Sequence, residues 1–409
     1  MSHTSIAILH YSCPPVVGGV EEIVRQQASL FHRKYHPVKI LAGMGEHFTE
    51  EYEIEINPLL SSRNKEITLL QKDVSANFAA LKRISEQIRI YLSHSLASFD
   101  VVIAHNVLTM PYNLPLTLAL HALADEGRKK IISWNHDSPY FYSPVKKELV
   151  DDAWKILEKY NPNISYITIS ESRRQEFQQL YGIQNTISVI QNGIDPIRFL
   201  RLARNSVQLI QQENLFNCEL LMMQPSRLHP RKNIELSIRI LKAMHDAGVK
   251  AKLLLTGAFD PHEKKTLAYY HKLRYLADEL QISDHLIIVS EYQSRLGEKL
   301  SADRVIMRDL YMISDILLLP SKQEGFGIPL LEAGMIRLPI ACADIPPFRH
   351  IGRDNVLYFS LKDSPQHISG AILKFLNEQQ PHRFFKRVIQ EYTWDNIYET
   401  QLRPLLQSI

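Results

Sequence analysis

The chain reads as an α/β protein built from two tandem Rossmann-like halves, and three features of the sequence predict this. Short apolar runs of strand length recur from end to end, segments with helical spacing of apolar residues separate them, and the series stops and restarts near residue 200. Alternation of this kind belongs to doubly wound parallel sheets with helices on both faces.

The first half opens with the run SIAILHY, followed by VKILAG, DVVIAHN, KIISWNH, ISYITIS and TISVIQNG. These runs are apolar along their length, which fits parallel strands buried on both faces. GGVEEIVRQQASLF and SANFAALKRISEQIRIYLSHSL place apolar residues at helical spacing, and in the longer segment Phe78, Leu81, Ile84, Ile88 and Leu92 form one stripe. The second series is LLMMQPS, AKLLLTG, HLIIVSE, ILLLPS and LPIACAD, with helical pieces such as NIELSIRILKAMHDAG between them. The Gln- and Arg-rich stretch DPIRFLRLARNSVQLIQQEN is poorly patterned and is read as the linker. The expected domains are residues 1–200, joined by a terminal helix at about 391–409, and residues 201–390.

Composition narrows the function classes. The 409 residues are 45% hydrophobic and 22% charged, with 15 Gly and 21 Pro, as in an ordinary globular chain of two domains. A net charge of +3 without any block of like charge argues against a nucleic-acid surface. Cys13, Cys218 and Cys342 lie far apart without metal-ligand spacing, so neither a disulfide framework nor a zinc site is expected, and a reducing cytoplasm fits. No signal-peptide pattern and no apolar run of the roughly 20 residues that span a bilayer is found, so membrane contact is expected to be peripheral at most.

In doubly wound sheets, ligands sit beyond the carboxyl ends of the strands, so the chemistry is sought in the loops there. In the first loop, CPPVVGGVEE, Gly18 and Gly19 let backbone approach a ligand, and the following helix offers free N–H groups to an anion. A purely structural turn explains a glycine pair equally well, and the dinucleotide fingerprint GxGxxG is absent. In the second, PSRLHPRKN, Arg227 and Lys232 suit a diphosphate, with Asn233 placed to cap the next helix; a solvated basic turn is the alternative. The third is EGFGIPLLEA. Gly325 and Gly327 leave main-chain amides uncovered, so Gly325, Phe326, Gly327 and Ile328 are expected to bind the donor, and Pro329 suits the first turn of the helix that follows. Glu324 in the loop and Glu332 on the helix can accept hydrogen bonds from two separate hydroxyls of one extended ligand, although Glu332 alone reads as a surface glutamate.

Taken together, E-x7-E after a buried run, Arg-x4-Lys upstream and GGVE near the N-terminus resemble the retaining glycosyltransferases of family 4, which have the GT-B fold. The resemblance extends over nearly the whole chain through His136-Asp137, ITISESRRQEF, the NGID turn at Asn192 to Asp195, and EYTWDNIYE. It implies two Rossmann-like domains with an interdomain cleft, and a C-terminal helix crossing back to the N-terminal domain with Trp394 as its anchor. It also implies that Glu324 faces the donor sugar, Glu332 holds the ribose, Arg227 and Lys232 take the diphosphate, Gly19 lies in the loop over it, and His136 sits beside the transferred sugar. Alone, such a histidine is more often structural.

The implied reaction moves a hexose, glucose or mannose, from a UDP-, GDP- or ADP-sugar to an acceptor hydroxyl with retention. The cations would stabilise the departing diphosphate, and with no Asp-x-Asp pair in the chain no metal is expected. The resemblance favours front-face attack over double displacement. Tyr292 stands where the family commonly has glycine, and either stacks on the nucleobase or is an ordinary tyrosine. The N-terminal half is expected to bind the acceptor, with Asn106, Thr109, Asn135 and Asp137 near strand ends suggesting a small hydroxylated molecule. Competing readings are a lipid-linked or cell-surface glycan acceptor, a sugar-nucleotide epimerase or hydrolase, and a non-catalytic sugar-nucleotide-binding subunit. Oligomeric state is left open.

Overall fold

A computed structural model of the chain describes residues 4–144, 149, 151–184, 187–257, 264–293, 297, 300 and 302–408. It divides into two compact units, one formed by residues 1–195 together with 392–409 and the other by residues 196–391.

The first unit holds a seven-stranded parallel sheet: β1 (Ile6–His10), β2 (Val38–Ala42), β3 (Glu53–Ile56), β4 (Val101–His105), β5 (Lys130–Asn135), β6 (Ile164–Thr168) and β7 (Ile187–Val189). Their spatial order is β3-β2-β1-β4-β5-β6-β7. Along β1 the side chains alternate between two cores: Ala7 and Leu9 face one, Ile6 and Ile8 the other. This two-sided burial is why the strand is an unbroken apolar run. The expected series lacks β3, because its sequence EIEI carries glutamates as an edge strand does.

Helix Val74–Ser95 is capped by Asp73, whose side chain accepts from Ala76 N. Its Ile84, Ile88 and Leu92 are buried in the core, and Leu81 in a smaller cluster with Trp154 and Leu157, so that stripe serves packing. The terminal segment packs on the other face of the same sheet. Trp394 is 1% exposed, lies among Ile6, Ile8 and Trp134, and donates its indole N–H to Gln26 Oε1 at 2.6 Å. Ile194 N donates to Tyr392 O at 2.8 Å where the two segments pair.

The second unit has six parallel strands: β8 (Leu220–Gln224), β9 (Ala251–Leu255), β10 (Leu286–Ile288), β11 (Ile316–Leu319), β12 (Ile340–Ala343) and β13 (Leu357–Phe359). The order β10-β9-β8-β11-β12-β13 again turns back beside its first strand. The strand β13 is not among the expected runs. The stretch expected to be a linker is a correction: Arg204–Gln212 is a helix that buries Leu209 and Ile210 in the core, since its few apolar residues need only one face of a short helix. Among the described residues no helix is long and apolar enough to cross a membrane.

Candidate functional site

Both units present their polar side chains where the sheet order reverses, beside β1 and β4 in the first and β8 and β11 in the second, which is where doubly wound sheets hold ligands.

In the first unit three histidines meet. His10 and His105 end β1 and β4, and His136 follows β5. His136 Nε2 lies 3.1 Å from His105 Nδ1, and His105 Nε2 lies 3.1 Å from Gln27 Oε1. His136 Nδ1 is 3.4 Å from the amide nitrogen of Asn192 in the NGID turn. His10 Nδ1 contacts the main-chain oxygen of His105 at 2.8 Å, and Trp134 stacks on the His105 ring. Burial lowers His136 to about 3, with His10 adding repulsion, and burial together with repulsion from His136 and His10 holds His105 well below the ordinary histidine range. His10 is lowered by burial too, against the opposing effect of its bond to His105 and of Glu21. The cluster is uncharged at neutral pH.

The expected acceptor residues fare unequally. Asn106, at φ 57°, spends its Oδ1 on the main-chain N–H groups of His136 and Asp137, at 2.7 and 3.2 Å, so it braces the histidine loop. Thr109 and Asn135 are corrections. Both are fully buried; the Thr109 hydroxyl turns back to Asn106 O at 3.5 Å and Asn135 Oδ1 accepts from Ser133, so neither reaches the surface. Asp137 is reachable and is held by Tyr142 and by Arg173, the latter at 3.1 Å. A side chain at Gly19 would meet nothing within 4 Å, whereas one at Gly18 would strike the Glu21 carboxylate. Glu21 and Glu22 fill the first helical turn there, and their charge opposes the anion site expected at that helix start.

In the second unit the loops after β8 and β11 are tied together. Lys322 N donates to Arg231 O at 2.8 Å, Lys232 pairs with Glu324 Oε1, and Arg231 lies 3.4 Å from Glu324 Oε2. Ser321 also donates to Glu324, at 2.7 Å, and Gln224 at the end of β8 holds the Lys232 carbonyl at 3.0 Å. Arg227 is exposed and has no ion-pair or hydrogen-bond partner among the described residues. Its loop is fixed by a close approach: a side chain at Gly257, after β9, would collide with the Ser226 carbonyl and lie 2.5 Å from Arg227 Cα. Gly327 sits at φ 112° directly before helix Ile328–Met335, a conformation that favours glycine. Gly325 is open, Phe326 and Ile328 are exposed, and Glu332 accepts from the buried Tyr311 hydroxyl at 2.7 Å.

Two more expectations are corrected. Tyr292, 7% exposed, is packed in the core with Leu209 and Ile306, as an ordinary core tyrosine is. Asn233 stands at its helix start in the left-handed conformation and its side chain caps nothing. The sequence reading passed over Arg231, Tyr311, Gln27 and His105. Gln27 had a usable signal, as an amide between Val24 and Phe31 on an apolar helical face; His105 closed an apolar run and gave none. Among the described residues no group of three or more His, Cys, Asp or Glu side chains is arranged to hold a metal ion.

Two family models match the chain. One, Glycosyltransferase Family 4, spans residues 17–198, and the other, Glycosyl transferases group 1, spans residues 205–391. A mannosylglucosylglycerate synthase from Petrotoga mobilis is 24% identical, covering 63% of this chain and 62% of its own length, so the chain spans about three-fifths of that relative. The O-antigen chain mannosyltransferase RfbU of Salmonella typhimurium is 24% identical over 68% of this chain and 74% of its own. Among solved structures, sucrose-phosphate synthase from Thermosynechococcus elongatus is 14% identical, covering 99% of this chain and all of its own, with a TM-score of 0.40.

Proposed function

Because the chain belongs to the group 1 glycosyl transferases of GT-B fold, we propose that it transfers a hexose, mannose first and glucose second, from a nucleoside-diphosphate sugar to an acceptor hydroxyl with retention of configuration. One observation carries the reading: Lys232, Arg231 and Glu324 are locked at the carboxyl ends of β8 and β11, beside an Arg227 without a described partner. In this reading Arg227 and Lys232 take the diphosphate and neutralise the charge that grows on it as the glycosidic bond breaks. Glu324 orients Lys232 and meets the sugar, Glu332 holds the ribose, and the backbone of Gly325, Phe326, Gly327 and Ile328 lies along the nucleotide. His136 meets a sugar hydroxyl, and attack comes from the front face. The second unit is thus the donor domain, and the first, with Asp137 and Gly19, the acceptor side.

The mannose preference rests on the names of the two relatives. One name describes a small glycerate product, which supports a soluble hydroxylated acceptor, and the other a surface glycan, which supports a lipid-linked one as the second reading. Three buried free cysteines support a cytoplasmic location. The test is a panel of UDP-, GDP- and ADP-linked mannose and glucose, scored for nucleoside diphosphate release with and without acceptors. Release that needs an acceptor and survives EDTA is expected. Acceptor-independent release or conversion of the donor would favour the hydrolase or epimerase, and binding without turnover the silent subunit.

A further inference from the structure

His136 is one member of a hydrogen-bonded row whose direction can be read from its ends. At the buried end Gln27, fully enclosed, turns its carbonyl oxygen to His105 Nε2 at 3.1 Å. With the amide turned this way, its Nε2 buried without a partner among the described residues, the oxygen accepts, so His105 Nε2 carries the proton and, the ring being neutral, His105 Nδ1 is bare. The neighbour 3.1 Å from that bare nitrogen is His136 Nε2, which must therefore be the protonated one, leaving His136 Nδ1 bare. At the open end the half-buried Asn192 presents its NH2, a donor, to His136 Nδ1 at 3.4 Å, with its own Oδ1 unpaired among the described residues. The row runs Asn192 to His136 to His105 to Gln27, each member donating to the next. Trp134 over the His105 ring, and His10 on the His105 carbonyl, fix the middle member in place.

We propose that Gln27 and His105 are positioning residues that dictate which nitrogen His136 offers to substrate, so that His136 acts as a hydrogen-bond acceptor through Nδ1 for a hydroxyl of a sugar substrate. The long contact from Asn192 is the one that the hydroxyl replaces. A hydroxyl donates well to a bare imidazole nitrogen, whereas an imidazole N–H in that place would demand an acceptor and would suit an ether or ring oxygen instead. The selection is for a free hydroxyl. This rests on the glycosyl-transfer reading above, in which His136 meets sugar.

The experiment places the proton on His136 by nitrogen-15 NMR of histidine-labelled full-length chain and pairs it with kinetics on UDP-, GDP- and ADP-linked mannose and glucose. The Nε2–H form of His136 is expected in the native chain. His105→Phe keeps a ring but removes the acceptor, and should release His136 into a tautomer mixture and cut kcat/KM roughly fivefold to tenfold. His105→Asn, whose amide oxygen can take the place of the bare Nδ1, should restore the Nε2–H form and most of the rate. Gln27→Met should act as a milder His105→Phe, and serves in its place if that variant does not fold. A rise confined to the KM of the nucleotide sugar places the hydroxyl on the donor; one confined to the acceptor's KM places it there. A native His136 protonated on Nδ1, or folded His105→Phe and Gln27→Met chains with unchanged tautomer and kinetics, overturns the proposal. Should the native chain turn over no donor, the function reading fails separately, and the tautomer measurement still decides whether the row sets the proton on His136.

Discussion

In the first unit the polar side chains at the strand ends are mainly amides and histidines, the latter kept neutral by burial, whereas in the second they are lysine, arginine and glutamate, paired or within reach of solvent. Enclosure explains the first arrangement. A charge among Trp134, Ile8 and Ile132 would lose most of its hydration, so imidazoles shed their protons and become directional donors and acceptors. The second arrangement keeps its charges because each has a counter-charge or water, and Glu324, shared by Lys232 and Arg231 and 11% exposed, is the hinge of that balance. Neutral directional groups suit hydroxyls; exchangeable charges suit a diphosphate.

The comparison breaks most sharply at the charged half. Lys232→Ala or Arg227→Ala should lower kcat/KM for the donor roughly 10- to 150-fold, the loss of one charge-assisted contact of about 1.5 to 3 kcal/mol, with circular dichroism unchanged. Mutants that release nucleoside diphosphate at the native rate would strip these residues of their role. Gly257→Ala should come next. It forces a methyl against the Ser226 carbonyl, and overpacking of that kind costs about 1 to 3 kcal/mol, read as a lower melting temperature together with weaker donor binding as the Arg227 loop shifts. An unmoved melting temperature would mean that the loop yields freely.

Acid should separate the halves more gently. His10, His105 and His136 have folded pKa values below the ordinary 6.5, so between those values the unfolded chain binds protons that the native chain does not. Stability contributed by these neutral rings is complete above 6.5 and falls as pH drops through the window, for His136 down to about 3. Hydrogen exchange at pH 5 against pH 7 should therefore show the sheet around β4 and β5 losing protection before that around β8 and β11. Equal loss in both would refute a histidine-led weakness. The smallest effect is expected from Tyr311→Phe, which removes the hydroxyl that holds Glu332 and should weaken nucleotide binding by about 1 kcal/mol, roughly fivefold in the dissociation constant by titration calorimetry. An unchanged constant would show Glu332 to be set by its helix alone.

Much of this was legible in the linear chain. Strands enclosed on both faces must be apolar throughout, so SIAILHY or ILLLPS announced themselves, and with them the loops where Arg227, Lys232, Glu324 and His136 had to lie. What escaped follows from weak local signals. EIEI at an edge reads as polar surface. Tyr292 and Thr109 could be judged only once their neighbours closed over them, because burial depends on residues far away in sequence.

Local chemistry therefore determined which segments form strands and helices, where the turns fall, and which charged residues gather after β8 and β11, since periodicity, proline and glycine act within a few residues. The tertiary structure decided the rest. That Glu324 is shared with Lys232, 92 residues away, that Gly257 presses on the Arg227 loop, and that Gln27, His105, His136 and Asn192 form one directed row with separations of 78, 31 and 56 residues are facts about groups distant along the chain. The states of these groups are set by desolvation and by hydrogen-bond partners, and both come into being only when the sheet brings its strand ends side by side.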